Sequence, residues 1–202
     1  MKQHKNLPKL NDNSYVHFVT TDTCENRPYF RDGKFCRIFL EELEFYRDKY
    51  GFTLLGYIIM PDHVHLLLWW DKLEKPDLNV SRIMQGVKGA TARRIIGLMI
   101  SGSLEHPLQP CSMTARKSIK SHKRNLRYRL WQHGFYDFNI YSEERFLEKL
   151  DYIHNNPVKA RLVSSSGDYK WSSYKLYFDI LKVEDSINSP DMALGADAPR
   201  YP

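Results

Sequence analysis

Two histidines one residue apart, His63 and His65, head the apolar run His63-Val-His65-Leu-Leu-Leu-Trp-Trp70, which follows Leu55-Gly-Tyr-Ile-Ile-Met60 and the pair Pro61-Asp62. A strand has a side-chain period of two, so both imidazoles leave one face about 6.6 Å apart along the backbone, near enough to share a divalent ion. A second chemical pair lies far along the chain, in Leu150-Asp-Tyr152-Ile-His-Asn-Asn156-Pro157. Helical residues four apart share a face at about 6 Å, which sets Tyr152 and Asn156 side by side. Against the histidine strand, Asn156 offers a neutral oxygen ligand and Tyr152 a phenol beside the ion. A phenol with a pKa of about 10 is a poor nucleophile at neutral pH and needs a base or a strongly electrophilic partner. A phosphodiester polarised by a divalent ion is such a partner. The product is a phosphotyrosine ester that retains the energy for religation.

Other residues of the right type carry blander readings. His17 and His154 read as structural histidines. Tyr57 and Tyr136 rival Tyr152 as nucleophiles by type, but neither has a polar companion at helical spacing in a segment followed by Asn-Pro. Asp62 reads first as a turn residue that bonds its own backbone, and after that as an influence on the metal. Trp69, Trp70 and Phe135 read as core or sheet-face aromatics, any exposed one of which could stack on a base.

The elements that must position these groups follow from periodicity. Tyr15-Val-His-Phe-Val-Thr-Thr21 is rich in β-branched and aromatic residues and predicts the first strand, broken at Asn26-Arg-Pro28. Phe35, Ile38, Phe39, Leu43 and Tyr46 recur at helical spacing, predicting a helix over 31–49 that Gly51 ends. Phe52 to Met60 and His63 to Trp70 predict an antiparallel pair turning at Pro61-Asp62. Asn79 or Ser81 caps a helix running to about Met99, with Ile83, Val87, Ala90, Arg94 and Ile95 on one face and with Gly86 and Gly89 against it. Leu130 to Ile140 supplies a fourth strand or irregular extended segment. The order β-α-β-β-α-β fits an α+β, ferredoxin-like antiparallel sheet with two helices on one face, the other face being a platform for a ligand. A further helix from Glu143 to about His154, interrupted by Pro157, carries Tyr152. Residues 169–181 predict a short helix or an edge segment.

A chain of 202 residues, 42% of them hydrophobic, favours one domain with its own core, here 1–183, followed by a flexible tail over 184–202. Its net charge of +6 is compatible with a polyanionic partner. The charge is uneven: Arg116, Lys117, Lys120, Lys123, Arg124, Arg127 and Arg129 follow one another with no acid between them, in a basic insertion near 101–129. Such a field attracts phosphates. Cys24, Cys36 and Cys111 are too few and scattered for a disulfide framework and read as reduced thiols. No apolar signal core or membrane-spanning run is present in the sequence, so a cytoplasmic, nucleoid-associated protein with no membrane partner is expected.

Three stretches together resemble a known family: Tyr57-Ile-Ile-Met-Pro-Asp-His63-Val-His65-Leu-Leu, Trp131-Gln-His-Gly-Phe-Tyr-Asp-Phe-Asn-Ile, and Tyr152-Ile-His-Asn-Asn156-Pro-Val-Lys-Ala-Arg-Leu-Val163, followed by Trp171-Ser-Ser-Tyr174. The chain is similar over about residues 15–175 to the IS200-like single-tyrosine transposases of the HUH endonuclease superfamily, and within them to the REP-associated branch. The resemblance implies that His63 and His65 hold Mg²⁺ or Mn²⁺, that Asn156 stands as the third, polar ligand, and that Tyr152 is the nucleophile. It implies nicking and rejoining of single-stranded DNA near a hairpin, through a 5′-phosphotyrosine link and a free 3′-OH. It also implies a homodimer, as in the insertion-sequence branch, or a monomer, as among REP-associated members. The long stretch before Trp131 departs from the shorter insertion-sequence members and favours the REP-associated branch; Lys120, Lys123, Arg124 and Arg127 are the expected contacts to hairpin phosphates. Two other functions fit the same residues: a catalytically silent hairpin-binding protein, and a metal-dependent phosphodiesterase that uses water, with Tyr152 only touching substrate.

Overall fold

A computed structural model describes residues 15–101 and 128–177. Residues 102–127 of the basic insertion, with Lys120, Lys123, Arg124 and Arg127, and the tail over 184–202 lie outside the described residues. Strands β1 (Val16–Asp22), β2 (Thr53–Ile59), β3 (His63–Trp69) and β4 (Tyr136–Ile140) form one antiparallel sheet in the order β2-β3-β1-β4. Helices α1 (Gly33–Tyr50) and α2 (Val80–Ile100) connect them as the β-α-β-β-α-β reading expects, and α3 (Glu143–Lys159) follows β4.

The period of two divides the sheet between two cores. Val19, Ile59, Val64, Leu66 and Leu68 point to α1 and α2, where they meet Phe35, Phe39, Leu43, Ile83 and Val87. Val16, Phe18, Ile58, Leu67 and Ile140 point the other way, to Phe146, Leu150 and Ile153 of α3. His63 and His65 share the phase of Leu67, so they open on the α3 face.

Local chemistry sets the helix boundaries. Asp32 caps α1 by accepting from the Lys34 amide at 2.8 Å, and Gly51 ends it. Asn79 caps α2, accepting from the Arg82 amide at 2.9 Å, a contribution of about 1 kcal/mol. Gly86 does not oppose this helix as propensity suggests: a Cβ there would lie 2.5 Å from the Tyr46 ring, so its absence lets α1 and α2 approach. Arg94, expected on the apolar face, instead bridges to α1 through Glu41 at 2.6 Å and Glu42 at 2.9 Å.

Three expectations need correction. Pro157 does not end its helix, which runs to Lys159. The proline falls in the last turn, so few later bonds depend on it, and burial of Phe146, Leu150 and Ile153, worth about 5–9 kcal/mol, exceeds the ~3 kcal/mol cost of a helix-interior proline. The fourth strand begins only at Tyr136: Trp131 is drawn into the α1 core against Phe30 and Phe39, and Gly134 turns the chain at φ 79°. Cys24 is disulfide-bonded rather than a reduced thiol, whereas Cys36 is free and buried. Residues 171–173 lie as an edge segment along β2, the Ile59 amide donating to the Trp171 carbonyl at 2.9 Å and the Ser173 amide to the Tyr57 carbonyl at 3.0 Å.

Candidate active site

Strand β3 carries the two imidazoles onto one face with ring centroids 4.8 Å apart. Each has a partner on Nδ1. The His63 Nδ1 lies 2.7 Å from an Asp62 carboxylate oxygen, which can only accept, so His63 carries its proton on Nδ1 and presents Nε2 bare. His65 Nδ1 lies 2.7 Å from Thr20 Oγ1, a position set by the β1–β3 register that pairs Thr20 with His65. With the hydroxyl accepting, His65 Nε2 is likewise free. Burial first, then His63 and Lys149, hold the His65 imidazole down at a pKa of about 3, so it is neutral, as a metal ligand must be.

Helix α3 brings the phenol. Ser142 caps it, accepting from the Arg145 amide at 3.3 Å, and Glu143 and Glu144 complement the positive end of its dipole. The buried stripe Phe146, Leu150, Ile153 and Pro157 seats the helix on the sheet, and Gly56 makes that seat close: a Cβ there would stand 3.0 Å from Leu150 Cδ1, 3.1 Å from Leu67 Cδ1 and 3.2 Å from Ile153 Cδ1. The neighbouring stripe carries Lys149, Tyr152, Asn156 and Lys159. The Tyr152 ring meets His65 edge-on at 5.6 Å and Phe18 at 6.1 Å, and Phe18 in turn stacks on His65 at 5.3 Å. Tyr152 remains 38% exposed. Lys149 Nζ and Lys159 Nζ flank its ring at 5.5 Å and 5.2 Å.

His63, His65 and Asn156 are the residues that could hold a hard divalent ion. Two imidazoles offer Nε2, and Asn156 has a buried Nδ2 with no hydrogen-bond partner, so its amide is unspent; a 180° flip presents the oxygen instead. No cluster of three His, Cys, Asp or Glu suited to a metal occurs among the described residues, so protein ligation here would be His-His-amide, with positions left for substrate oxygen and water.

The rival residues separate by location. His17 points to the opposite face, stacked on Trp70 at 4.5 Å with Nδ1 3.0 Å from Asp137. His154 is buried beneath α3, its Nε2 2.9 Å from Ser173 Oγ, and burial holds it near pKa 4. Tyr57 is half-buried on the α1 side, its phenol pushed up by burial and then by Glu44. Tyr136 is 58% exposed and shares the histidine face, in the cross-strand row His65, Thr20, Tyr136. Trp70 is core, and Trp69 and Phe135 are half-buried. Thr20 and Lys149 escaped the sequence reading. Thr20 requires the cross-strand register to be known, and Lys149 resembles any solvated lysine, its one signal being its place a turn before Tyr152.

Known proteins share parts of this chain's sequence and its fold. Residues 11–98 match the family model described as "Transposase IS200 like". A REP-associated tyrosine transposase of Haemophilus influenzae is 27% identical over 153 residues, covering 74% of this chain and 75% of its own. A solved REP-associated tyrosine transposase bound to a REP hairpin superposes with a TM-score of 0.59 at 15% identity, covering all of this chain and 95% of its own; at that identity the likeness concerns the fold. The matched segment and the relative make the chain similar to IS200-like transposases, and the solved structure shares its fold. Among them the similarity in sequence is to a REP-associated tyrosine transposase. No described helix is long and apolar enough to cross a membrane.

Proposed function

We propose that this protein is an IS200-like transposase that nicks and rejoins single-stranded DNA beside a hairpin, with Tyr152 as the nucleophile and His63, His65 and Asn156 holding Mg²⁺ or Mn²⁺. The observation that carries the reading is the convergence of the His63, His65 and Tyr152 rings, at 4.8 Å and 5.6 Å, from a strand and a helix far apart in sequence. The bound ion would supply Lewis-acid polarisation of the scissile phosphate. The chain's own residues do the rest. Asp62 and Thr20 fix the imidazole orientation, and Lys149 and Lys159 place positive charge around Tyr152, where phosphate charge must be borne. The Tyr152 oxygen attacks phosphorus and the P–O3′ bond breaks, leaving a 5′-phosphotyrosine and a released 3′ oxygen. The phenolic proton passes to solvent and the 3′ oxygen takes one up; religation runs the same exchange backwards. A REP hairpin, the ligand of the solved relative, is the partner favoured here, with Lys120, Lys123, Arg124 and Arg127 on its phosphates.

The test is a labelled hairpin with single-stranded flanks incubated with protein and Mn²⁺, then run under denaturing conditions. A denaturation-resistant protein–DNA adduct is expected, lost in Tyr152→Phe with hairpin affinity spared, and retained in Tyr136→Phe. Cleavage without an adduct would indicate the water-using phosphodiesterase, and binding alone the silent hairpin binder. Either would overturn the proposal.

A further inference from the structure

Beside Tyr152 the sheet face that carries the histidines is not fully covered. Strand β4 is at the sheet edge, and on this face it presents Tyr136 and Phe138, 58% and 42% exposed, opposite Thr20 and Phe18 of β1. A large apolar ring on an open edge is costly to leave to solvent and invites unwanted pairing, which natural edges avoid with charge or cover. Here a cation stands over the rings instead: Lys149 Nζ lies 5.9 Å from the Phe138 ring, 5.5 Å from Phe18 and 5.5 Å from Tyr152. Among the described residues Lys149 has no carboxylate within salt-bridge distance; neighbouring Glu148 is taken by Arg145 at 2.6 Å. Two accessible rings and an unneutralised ammonium therefore run from the sheet edge to Tyr152.

We infer that Tyr136, Phe138 and Lys149 form a seat for unpaired nucleotides flanking the scissile phosphate, the rings stacking on bases and the ammonium taking a backbone phosphate. The occupant is single-stranded DNA on two grounds. Lys149 calls for an anion, and the strip is continuous with the proposed nucleophile. Bases within a duplex hide their faces in the stack, whereas unpaired bases offer them to an aromatic ring. The seat rests on the proposed function for its purpose, but its test requires no cleavage.

Fluorescence anisotropy with an unstructured oligo-dT, in chelator and without divalent ion, reads the seat alone. Phe138→Ala and Tyr136→Ala should each weaken binding about fivefold or more, the low end for loss of one base–aromatic stack. Phe138→Trp should retain affinity, and Lys149→Gln should lower the slope of log K against log salt by about 0.7. A blunt hairpin without flanks should bind all variants alike. Melting temperature monitors the fold; where alanine at 138 lowers it, Phe138→Leu keeps the apolar volume, loses the stack and should show the same weakening. Oligo-dT binding within twofold of wild type in a folded Tyr136→Ala/Phe138→Ala protein would overturn the seat, as would equal loss for the blunt hairpin. Neither result would touch the adduct assay, so failure here and failure of the nicking reading are distinguishable.

Discussion

Gly56 is the position where packing and chemistry meet most directly, and Gly56→Val separates them. Carbon atoms pack best at about 3.5–4.0 Å. An alanine Cβ would stand at 3.0, 3.1 and 3.2 Å from Leu150, Leu67 and Ile153, a shortfall of roughly 0.3–0.5 Å that side chains can absorb. Valine extends a further bond, about 1.5 Å, toward the same three methyl groups, so α3 must lift by about 1 Å. Overpacking costs about 1–3 kcal/mol, partly offset because valine suits a strand better than glycine does, by up to ~1 kcal/mol. The net loss leaves a folded protein. Catalysis is less forgiving, since a misplacement of about 1 Å can lower the rate 100-fold. Single-turnover adduct formation with saturating hairpin should thus fall about 100-fold in Gly56→Val and far less in Gly56→Ala, with hairpin affinity kept. Leu150→Ala in the valine background should restore part of the rate. A folded Gly56→Val protein that forms adduct at the wild-type rate would refute the claim that the close seating of α3 positions Tyr152.

Removing the partners of the imidazoles should weaken the ion without touching a ligand: Thr20→Val and Asp62→Asn should each reduce Mn²⁺ affinity about 10–100-fold by calorimetry, with melting temperature changed little. Unchanged affinity in both would show that the Nδ1 bonds do not orient the ligands. His154 gives a pH signature. Burial lowers its pKa from 6.5 to about 4, so between those values the unfolded chain binds the extra proton and the folded one does not. Stability should fall as pH drops through this window, the His154 share reaching about 3 kcal/mol at 1.36 kcal/mol per pH unit. Urea melts at pH 7 and 4.5 should show a smaller difference in His154→Gln than in wild type; an equal difference would contradict the assignment.

What the sequence disclosed and what it withheld divide along range. The His63/His65 pair was legible because a strand's period is fixed locally, and the sheet order followed from an element order with few closures. Tyr152 and Asn156 were legible from helical spacing, although Pro157 argued for an earlier helix end; the burial beneath α3 that overrides it is a tertiary quantity. Thr20 as the His65 partner depends on β1–β3 register, which no local pattern fixes. Gly86 read as a weakness in its helix and Gly56 drew no reading, since propensity registers the missing side chain but not the helix or ring that occupies its place. Trp131 belonged by type to a strand and by packing to the core, which is why β4 is shorter than its apolar run.

The proposed mechanism turns on which atom of the protein becomes joined to DNA. Protease digestion of the denaturation-resistant adduct, followed by mass spectrometry, locates that bond. One modified peptide is expected, spanning Tyr152 and carrying a 5′-phosphorylated nucleotide on the phenol oxygen. A nucleotide on Tyr136 or any other side chain, or a cleaved substrate with no protein-linked product, would contradict it.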